Sequence, residues 1–373
     1  MENTFRMNEI AYAIALSRLQ GVSLAMALQL YKAYGSAQAV FELSEPPADM
    51  SQKAGKMLMT ALSNTKELLE PANEELIYCK EKEIQVIAYN DAAYPTLLRN
   101  CEDAPLVLFF LGNADMNATH IISVVGTRRI TEYGKDLCRT FCRDLATLVP
   151  DALIVSGLAY GVDIHTHRTS LENNLATIGV LAHGLDRIYP SIHRQTAAQM
   201  THHGGLLTEY LTQTQPKPEN FVRRNRIVAG MSAATIVIES AERGGALITA
   251  RLAQDYNRSV FAFPGRVNDQ YSQGCNNLIQ NNTAGLITCA EDFVKTMGWQ
   301  PKEKKIVQRQ LFPQLSEEEI LLCQLIAQDD RKQLNQLVVE SGISVANVTA
   351  LLFNLELKGV LKPLPGGRYR LLF

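Results

Sequence analysis

The chain lacks most of the features that would announce a function outright. It has no basic excess: 36 Lys and Arg stand against 38 Asp and Glu, a formal net charge of -2. A nucleic-acid-binding surface, if present, must therefore be a local patch rather than a property of the whole molecule. No apolar segment is long enough to span a bilayer, and the amino terminus, Met1-Glu2-Asn3-Thr4-Phe5-Arg6, lacks the basic-then-apolar run of a signal peptide. The cysteines number 7, an odd count without metal-ligand spacing, which argues for reduced thiols rather than a disulfide framework. Cys138 and Cys142, four apart, suit a shared helix face better than a metal site. Together these absences predict a cytoplasmic protein with no membrane insertion.

The familiar nucleotide and catalytic motifs are missing as well. Val125-Gly126-Thr127-Arg128-Arg129-Ile130 has one glycine where a dinucleotide fingerprint needs three, and no Walker lysine motif occurs. Ser156-Gly157 is not framed as Gly-x-Ser-x-Gly, so no nucleophile elbow is expected. Asp163, His165 and His167 have no further carboxylate or cysteine cluster to complete a metal site. Asp163 is expected to cap a helix and His167 to lie on its buried face. No cofactor, metal or catalytic residue is predicted.

What is present is a repeated pattern. Apolar runs at 121–125, 153–155, 176–182, 234–238 and 259–263 each lead into a glycine or polar residue, and helix-length stretches separate them. Short continuous runs of this kind read as buried parallel strands with crossover helices. The fold class expected is α/β: a Rossmann-like, mostly parallel sheet with a small helical N-terminal domain and a C-terminal winged helix. With 373 residues, 46% of them hydrophobic and 20% charged, the chain has room for two or three domains.

Residues 1–70 read as a helical domain. Gly21-Val22-Ser23 turns between two helices in the manner of a helix-hairpin-helix or SAM-like fold. That turn serves either packing or phosphate contact, and few basic residues flank it. Residues 71–300 form the Rossmann-like domain with an N-terminal extension, in which the runs Ile84–Tyr89 and Pro105–Gly112 extend the sheet or pack on its edge. Residues 301–313 are polar and charged, as a linker would be. Residues 314–373 read as three helices and a β-hairpin around Pro365-Gly366-Gly367, a winged helix-turn-helix. The start of its third helix, Ser344-Val345-Ala346-Asn347, carries no Lys or Arg. A neutral helix is poorly suited to strong duplex binding, because phosphate attraction supplies most non-specific affinity.

Ligands of such sheets sit beyond the carboxyl ends of the strands, and the informative residues cluster there. Gly126-Thr127-Arg128 offers a turn, a hydroxyl and a guanidinium fork, which with helix-terminal amides suit one phosphate. The alternative for Arg128 is a structural salt bridge. Gly157 opens a second glycine-rich turn, and Gly244, Gly245 and Thr249 form a third that serves a ligand or tight packing equally. Phe221-Val222-Arg223-Arg224-Asn225-Arg226 places an aromatic beside arginines, the combination that stacks bases and neutralises phosphates of a single strand. Arg223 and Arg226, three apart, share a helix face, and Lys217 with Phe221 would form the rim.

In order along the chain, Val125-Gly126-Thr127-Arg128, Ser156-Gly157-Leu158-Ala159-Tyr160-Gly161-Val162-Asp163, Gly184-Leu185-Asp186-Arg187-Ile188-Tyr189-Pro190, Phe221–Arg226, Gly245–Ala250 and Phe263-Pro264-Gly265 closely resemble the DNA-processing protein A (DprA/Smf) family. Val222 stands where that family usually has proline, Thr208 replaces a serine before Glu209, and Arg243-Gly244-Gly245 replaces Ser-Gly. The resemblance implies a non-catalytic protein that binds and protects single-stranded DNA and loads the RecA recombinase in natural transformation. It also implies a homodimer built on the Rossmann-like domain, for which Leu278, Ile279, Leu286 and Ile287 supply apolar side chains. The DNA- and phosphate-binding residues expected are Gly126, Thr127, Arg128, Gly157, Lys217, Phe221, Arg223, Arg224, Asn225, Arg226, Gly244, Gly245 and Thr249. The competing class is a nucleoside-monophosphate phosphoribohydrolase of the LOG type. That family uses Pro-Gly-Gly-x-Gly-Thr-x-x-Glu, whereas Glu242–Thr249 has no Glu after its glycines.

Overall fold

The computed structural model describes residues 2–300, 315–328, 332–364 and 366–372. They fall into two compact units, divided near residue 304. The expected linker, 301–313, lies outside the described residues, as does Pro365 at the tip of the expected hairpin.

The first unit begins with helices α1 (Glu2–Leu16), α2 (Leu24–Tyr34), α3 (Ala37–Phe41), α4 (Gln52–Leu62) and α5 (Thr65–Glu81). Local chemistry sets their ends. The Ser23 hydroxyl accepts from the Met26 amide at 3.2 Å to start α2, and Gly35 at φ 77° ends it. The boundary expected at residue 70 falls inside α5, which continues through Pro71 to Glu81. Ile10, Ile14, Leu28 and Leu58 of these helices belong to the same continuous core as Leu108 and Phe110 of the sheet.

The sheet and its helices follow in chain order: β1 (Gln85–Ala88), α6 (Thr96–Arg99), β2 (Val107–Gly112), β3 (Ile121–Val125), α7 (Glu132–Leu148), β4 (Leu153–Ser156), α8 (Val162–Glu172), β5 (Ala176–Val180), α9 (Arg194–His202), β6 (Gly204–Thr208), α10 (Pro218–Gly230), β7 (Ala234–Val237), α11 (Gly245–Asp255), β8 (Ser259–Ala262), α12 (Gln273–Gln280), β9 (Gly285–Leu286) and α13 (Ala290–Thr296). The strands lie in the order β1-β2-β6-β5-β4-β3-β7-β8-β9. The seven from β6 to β9 run parallel, while β2 pairs antiparallel with both β1 and β6. The Ile84–Tyr89 and Pro105–Gly112 runs thus extend the main sheet. Every residue of β3, β4 and β7 is buried, which is why those strands read as unbroken apolar runs.

One strand, β6, was not foreseen, because its Gly204-Gly205 start resembles a turn. The glycines are there for packing: a Cβ on Gly205 would lie 2.2 Å from the Phe110 ring of the adjacent β2. On α7, Cys138, Phe141, Cys142 and Leu145 are all buried at helical spacing, so the two cysteines do share a core face.

Chain order matters most at the middle of the sheet. After β3 the chain winds outward through β4, β5 and β6, then returns to lay β7 on the other side of β3. The β3–β7 junction is therefore a topological switch point, where the helices that follow diverge to opposite faces and leave a crevice.

The second unit holds α14 (Glu317–Gln328), α15 (Leu334–Ser341), α16 (Val345–Leu357) and the antiparallel pair β10 (Leu361–Leu364) and β11 (Arg368–Leu371). Leu322, Ile326, Leu337, Val348, Leu352 and Leu355 form its core. This is the winged helix expected from the sequence. The Ser344 hydroxyl accepts from the Asn347 amide to open α16, whose exposed start carries Val345 and Ala346. Among the described residues, no single helix is long and apolar enough to cross a membrane.

Of the four apolar residues among which some are expected to face a second copy, Ile287 is unavailable: it is fully buried in one cluster with Phe261 and Phe293. Leu278 and Ile279 lie half-buried against the core, and Leu286 stays 52% exposed on the edge strand β9.

Candidate functional site

A cleft of about 250 Å³ opens at the switch point. Its walls come from the turn after β3, the turn after β4, the side of α10 that carries Phe221, Arg224 and Val228, and the start of α11. It gathers Gly126, Thr127, Arg128, Gly157, Phe221, Arg224, Asn225, Gly244, Gly245 and Thr249, with Asp163 at its base.

The turn after β3 is held by its own backbone and by Glu239. The Thr127 amide donates to the Glu239 carbonyl at 2.7 Å, and the Thr127 carbonyl accepts from the Val162 amide at 3.1 Å. The Thr127 hydroxyl accepts from the Arg129 amide at 3.1 Å, which leaves its proton to donate into the cleft. The Glu239 carboxylate accepts from the Thr131 amide at 2.9 Å and from the Thr131 hydroxyl, and Thr131 in turn caps α7 by accepting from the Gly134 amide. Burial pushes the Glu239 carboxyl up from its ordinary range, and the Thr131 hydrogen bonds oppose that shift. The consequence corrects the sequence reading: the start of α7, expected to offer amides to a phosphate, is already capped from within. The start of α11 is different. Its N-cap is Gly244, which supplies no side-chain cap, so the Gly245 and Ala246 amides border the cleft without one, while the Leu247 amide is taken by the Gly244 carbonyl.

Arg128 is exposed and makes no salt bridge among the described residues. Its guanidinium carbon lies 5.4 Å from the centroid of the Phe221 ring, a cation–π contact that holds the fork over the cleft mouth. Phe221 in turn stands 5.8 Å from Tyr189, tilted by 56°.

Arg224 is the buried counterpart. Its Nη1 donates to the Gly157 carbonyl at 2.7 Å and to the Val180 carbonyl, and its Nε to Asn225 Oδ1 at 3.3 Å. Burial pushes its pKa down to about 10, against the pull of Asp163, so it stays cationic at neutral pH. Asp163 Oδ2 accepts from the Gly157 and Ala159 amides at 3.1 and 3.3 Å. It thus ties down the turn before α8 from within the first helical turn; the N-cap of α8 is Gly161, with no side-chain cap, so Asp163 is not the helix cap the sequence suggests. Burial raises its pKa, and Arg224 lowers it. Gly157 is required here, since a Cβ would lie 2.3 Å from Arg224 Nη2 and 2.6 Å from Asp163 Oδ2. His167 is fully buried with Nδ1 2.7 Å from Thr177 Oγ1, and burial pushes its pKa down to about 3.

Three expected site residues are not brought into the cleft. Lys217 is exposed at the cap of α10 and Arg223 is exposed further along the helix, but neither lines the cavity. Arg226 is committed elsewhere: it is 4% exposed, pairs with Glu209 and donates to the Asp103 carbonyl. The shared face of Arg223 and Arg226 therefore does not make a joint binding surface, because the helix buries one of the two. Conversely, Asp163 and Tyr189 adjoin the site, although the sequence reading gave the first only a capping role and the second no role.

Among the described residues no His/Cys/Asp/Glu cluster could hold a metal ion. What fold and site define is an α/β protein with an arginine-lined, aromatic-rimmed cleft at a sheet switch point, joined in sequence to a winged helix. The model of the DNA recombination-mediator protein A family matches residues 85–298, and that of the DprA winged helix domain matches 308–367. The chain belongs to this family.

Individual relatives agree. Protein Smf of Synechocystis is 30% identical over 397 residues, covering 97% of this chain and 99% of that one. The crystal structure of DNA processing protein A from Streptococcus pneumoniae superposes with a TM-score of 0.65 at 29% identity, covering 76% of this chain and 97% of that one. The Helicobacter pylori protein, whose structure describes a single-stranded DNA binding mode, gives a TM-score of 0.52 at 30% identity, over 58% and 95% of the two chains.

Proposed function

We propose that this chain binds single-stranded DNA at the switch-point cleft, as a mediator of DNA recombination. A strand phosphate would sit between the Arg128 fork, the Thr127 hydroxyl and the start of α11, with the adjacent base on Phe221. The observation that carries this reading is the Arg128–Phe221 pair at 5.4 Å: one point of the cleft mouth offers both a phosphate donor and a ring for a base. Arg224 adds a buried positive charge behind them. That the Helicobacter pylori relative is described as binding single-stranded DNA supports the choice of ligand.

In this reading the protein works in the cytoplasm, in natural transformation, without catalysis. It protects the incoming strand, hands it to the RecA recombinase and acts as a homodimer in which Leu286 on β9 is part of the contact. Residues 314–373 act as an accessory domain, whereas residues 1–70 share one core with the DNA-binding region at 71–300 and support it. The competing phosphoribohydrolase would need a carboxylate free to polarise a glycosidic bond. Among the described residues, the one carboxylate lining the cleft is Asp163, and its Oδ2 is engaged by the Gly157 and Ala159 amides. Incubation with nucleoside monophosphates is expected to release no free base, and steady release would reverse the assignment. For the partners, light scattering is expected to give twice the chain mass, and Leu286→Glu to reduce it to one. A full-mass dimer in that variant would place the interface elsewhere.

A further inference from the structure

Tyr189 belongs to a motif that the phosphate cleft leaves unexplained. It is 47% exposed, beside buried Pro190, and its ring stands 5.8 Å from Phe221 at 56°. Exposed aromatics are ordinary when they stand singly, but adjoining rings form a contiguous surface of the kind that marks a binding site, and two such rings outside a phosphate site are the arrangement that carries successive bases. The loop bearing Tyr189 is also held in place. The Tyr189 amide donates to His183 Nε2 at 3.3 Å, while His183 Nδ1 lies 2.9 Å from the Gly184 carbonyl. A carbonyl accepts only, so Nδ1 carries the proton and Nε2 is the free acceptor. That arrangement needs neutral imidazole, and burial lowers the His183 pKa accordingly. The ring thus projects from a fixed backbone, so little main-chain freedom remains to be lost when a base stacks on it.

From this we infer that Tyr189 is a second base-stacking residue, so that the bound strand leaves the Arg128 phosphate site over Phe221 and continues onto Tyr189. The inference rests on the proposed binding of single-stranded DNA at this cleft, and it adds a direction of exit and a second nucleotide to it. Because a ring has no preference among π-faces, the second position should be tolerant of sequence.

The test compares a short oligothymidylate with an abasic oligomer of the same length, at low salt so that both bind. Tyr189→Ala is expected to weaken oligothymidylate binding about 5- to 100-fold. It should leave the abasic oligomer and the salt slope unchanged, and Tyr189→Phe should restore wild-type affinity. Arg128→Ala should weaken both oligomers. As a positive signal independent of any loss, indole emission from Tyr189→Trp, after subtraction of the wild-type Trp299 signal, should be quenched by oligothymidylate and not by the abasic strand. If Arg128→Ala weakens binding while Tyr189→Ala does not, or if Tyr189→Ala weakens both oligomers equally, the stacking role is overturned and the cleft assignment survives. If Arg128→Ala binds both as wild type does, both fall together.

Discussion

The arginines of α10 show how little residue type says about role. Arg224 and Arg226 are both buried, yet one lines the cleft and the other braces the domain. Arg226 and Glu209 are 5% and 7% exposed, and breaking such a pair strands a charge in low dielectric, at about 3–5 kcal/mol. Arg226→Ala should therefore lower the denaturant midpoint strongly, while the fraction that remains folded binds DNA normally. A loss of affinity without loss of stability would return Arg226 to the binding site. Arg128→Ala should do the reverse. Its melting curve should be unchanged, and loss of a charge-assisted contact of about 1.5–3 kcal/mol should weaken single-stranded DNA binding roughly ten- to hundred-fold.

His167 offers a residue-scale test by pH. Its folded pKa of about 3 lies below the ordinary 6.5, so below 6.5 the unfolded chain takes up a proton that the folded chain refuses. Stability from this group is complete above pH 6.5 and declines as pH falls toward 3. Urea midpoints measured across that window should fall, and His167→Gln should flatten the decline. An equally steep decline in the variant would show that other groups carry it.

At the scale of elements, the buried strands and the winged helix were legible because their signals are local: unbroken apolar runs for β3, β4 and β7, and capping residues with helical spacing for α14 to α16. β6 was not, since the need for Gly205 comes from Phe110 on another strand. The site was legible to the same extent. Gly126-Thr127-Arg128 and Gly244-Gly245 advertise themselves as strand-to-helix turns. Which helix start remains open to an anion depends on Glu239 reaching Thr131, 108 residues earlier, and no periodicity encodes that. Thr131→Ala should test this brace: loss of the cap costs about 1–2 kcal/mol and leaves the buried Glu239 carboxylate short of donors. The variant should melt earlier and bind single strands more weakly, because the Arg128 turn loses its anchor. Unchanged melting would mean that Thr131 is dispensable to the turn.

At the scale of the whole molecule, the net charge of -2 leaves affinity to a few placed cations and rings, not to a general positive field. Long-range steering should be weak and the salt slope shallow, of the order of the few phosphates that such a site neutralises. The winged helix, with uncharged Val345 and Ala346 at the start of α16, is expected to add little attraction for a duplex. The most direct test of the central claim is a titration of the full chain and its Arg128→Ala variant with one oligonucleotide, single-stranded and annealed, at two salt concentrations. The account predicts tighter binding of the single strand and a ten- to hundred-fold loss in the variant, with its salt slope shallower by about one phosphate. Equal affinity for strand and duplex, or a folded variant that binds as wild type at both salts, would contradict it.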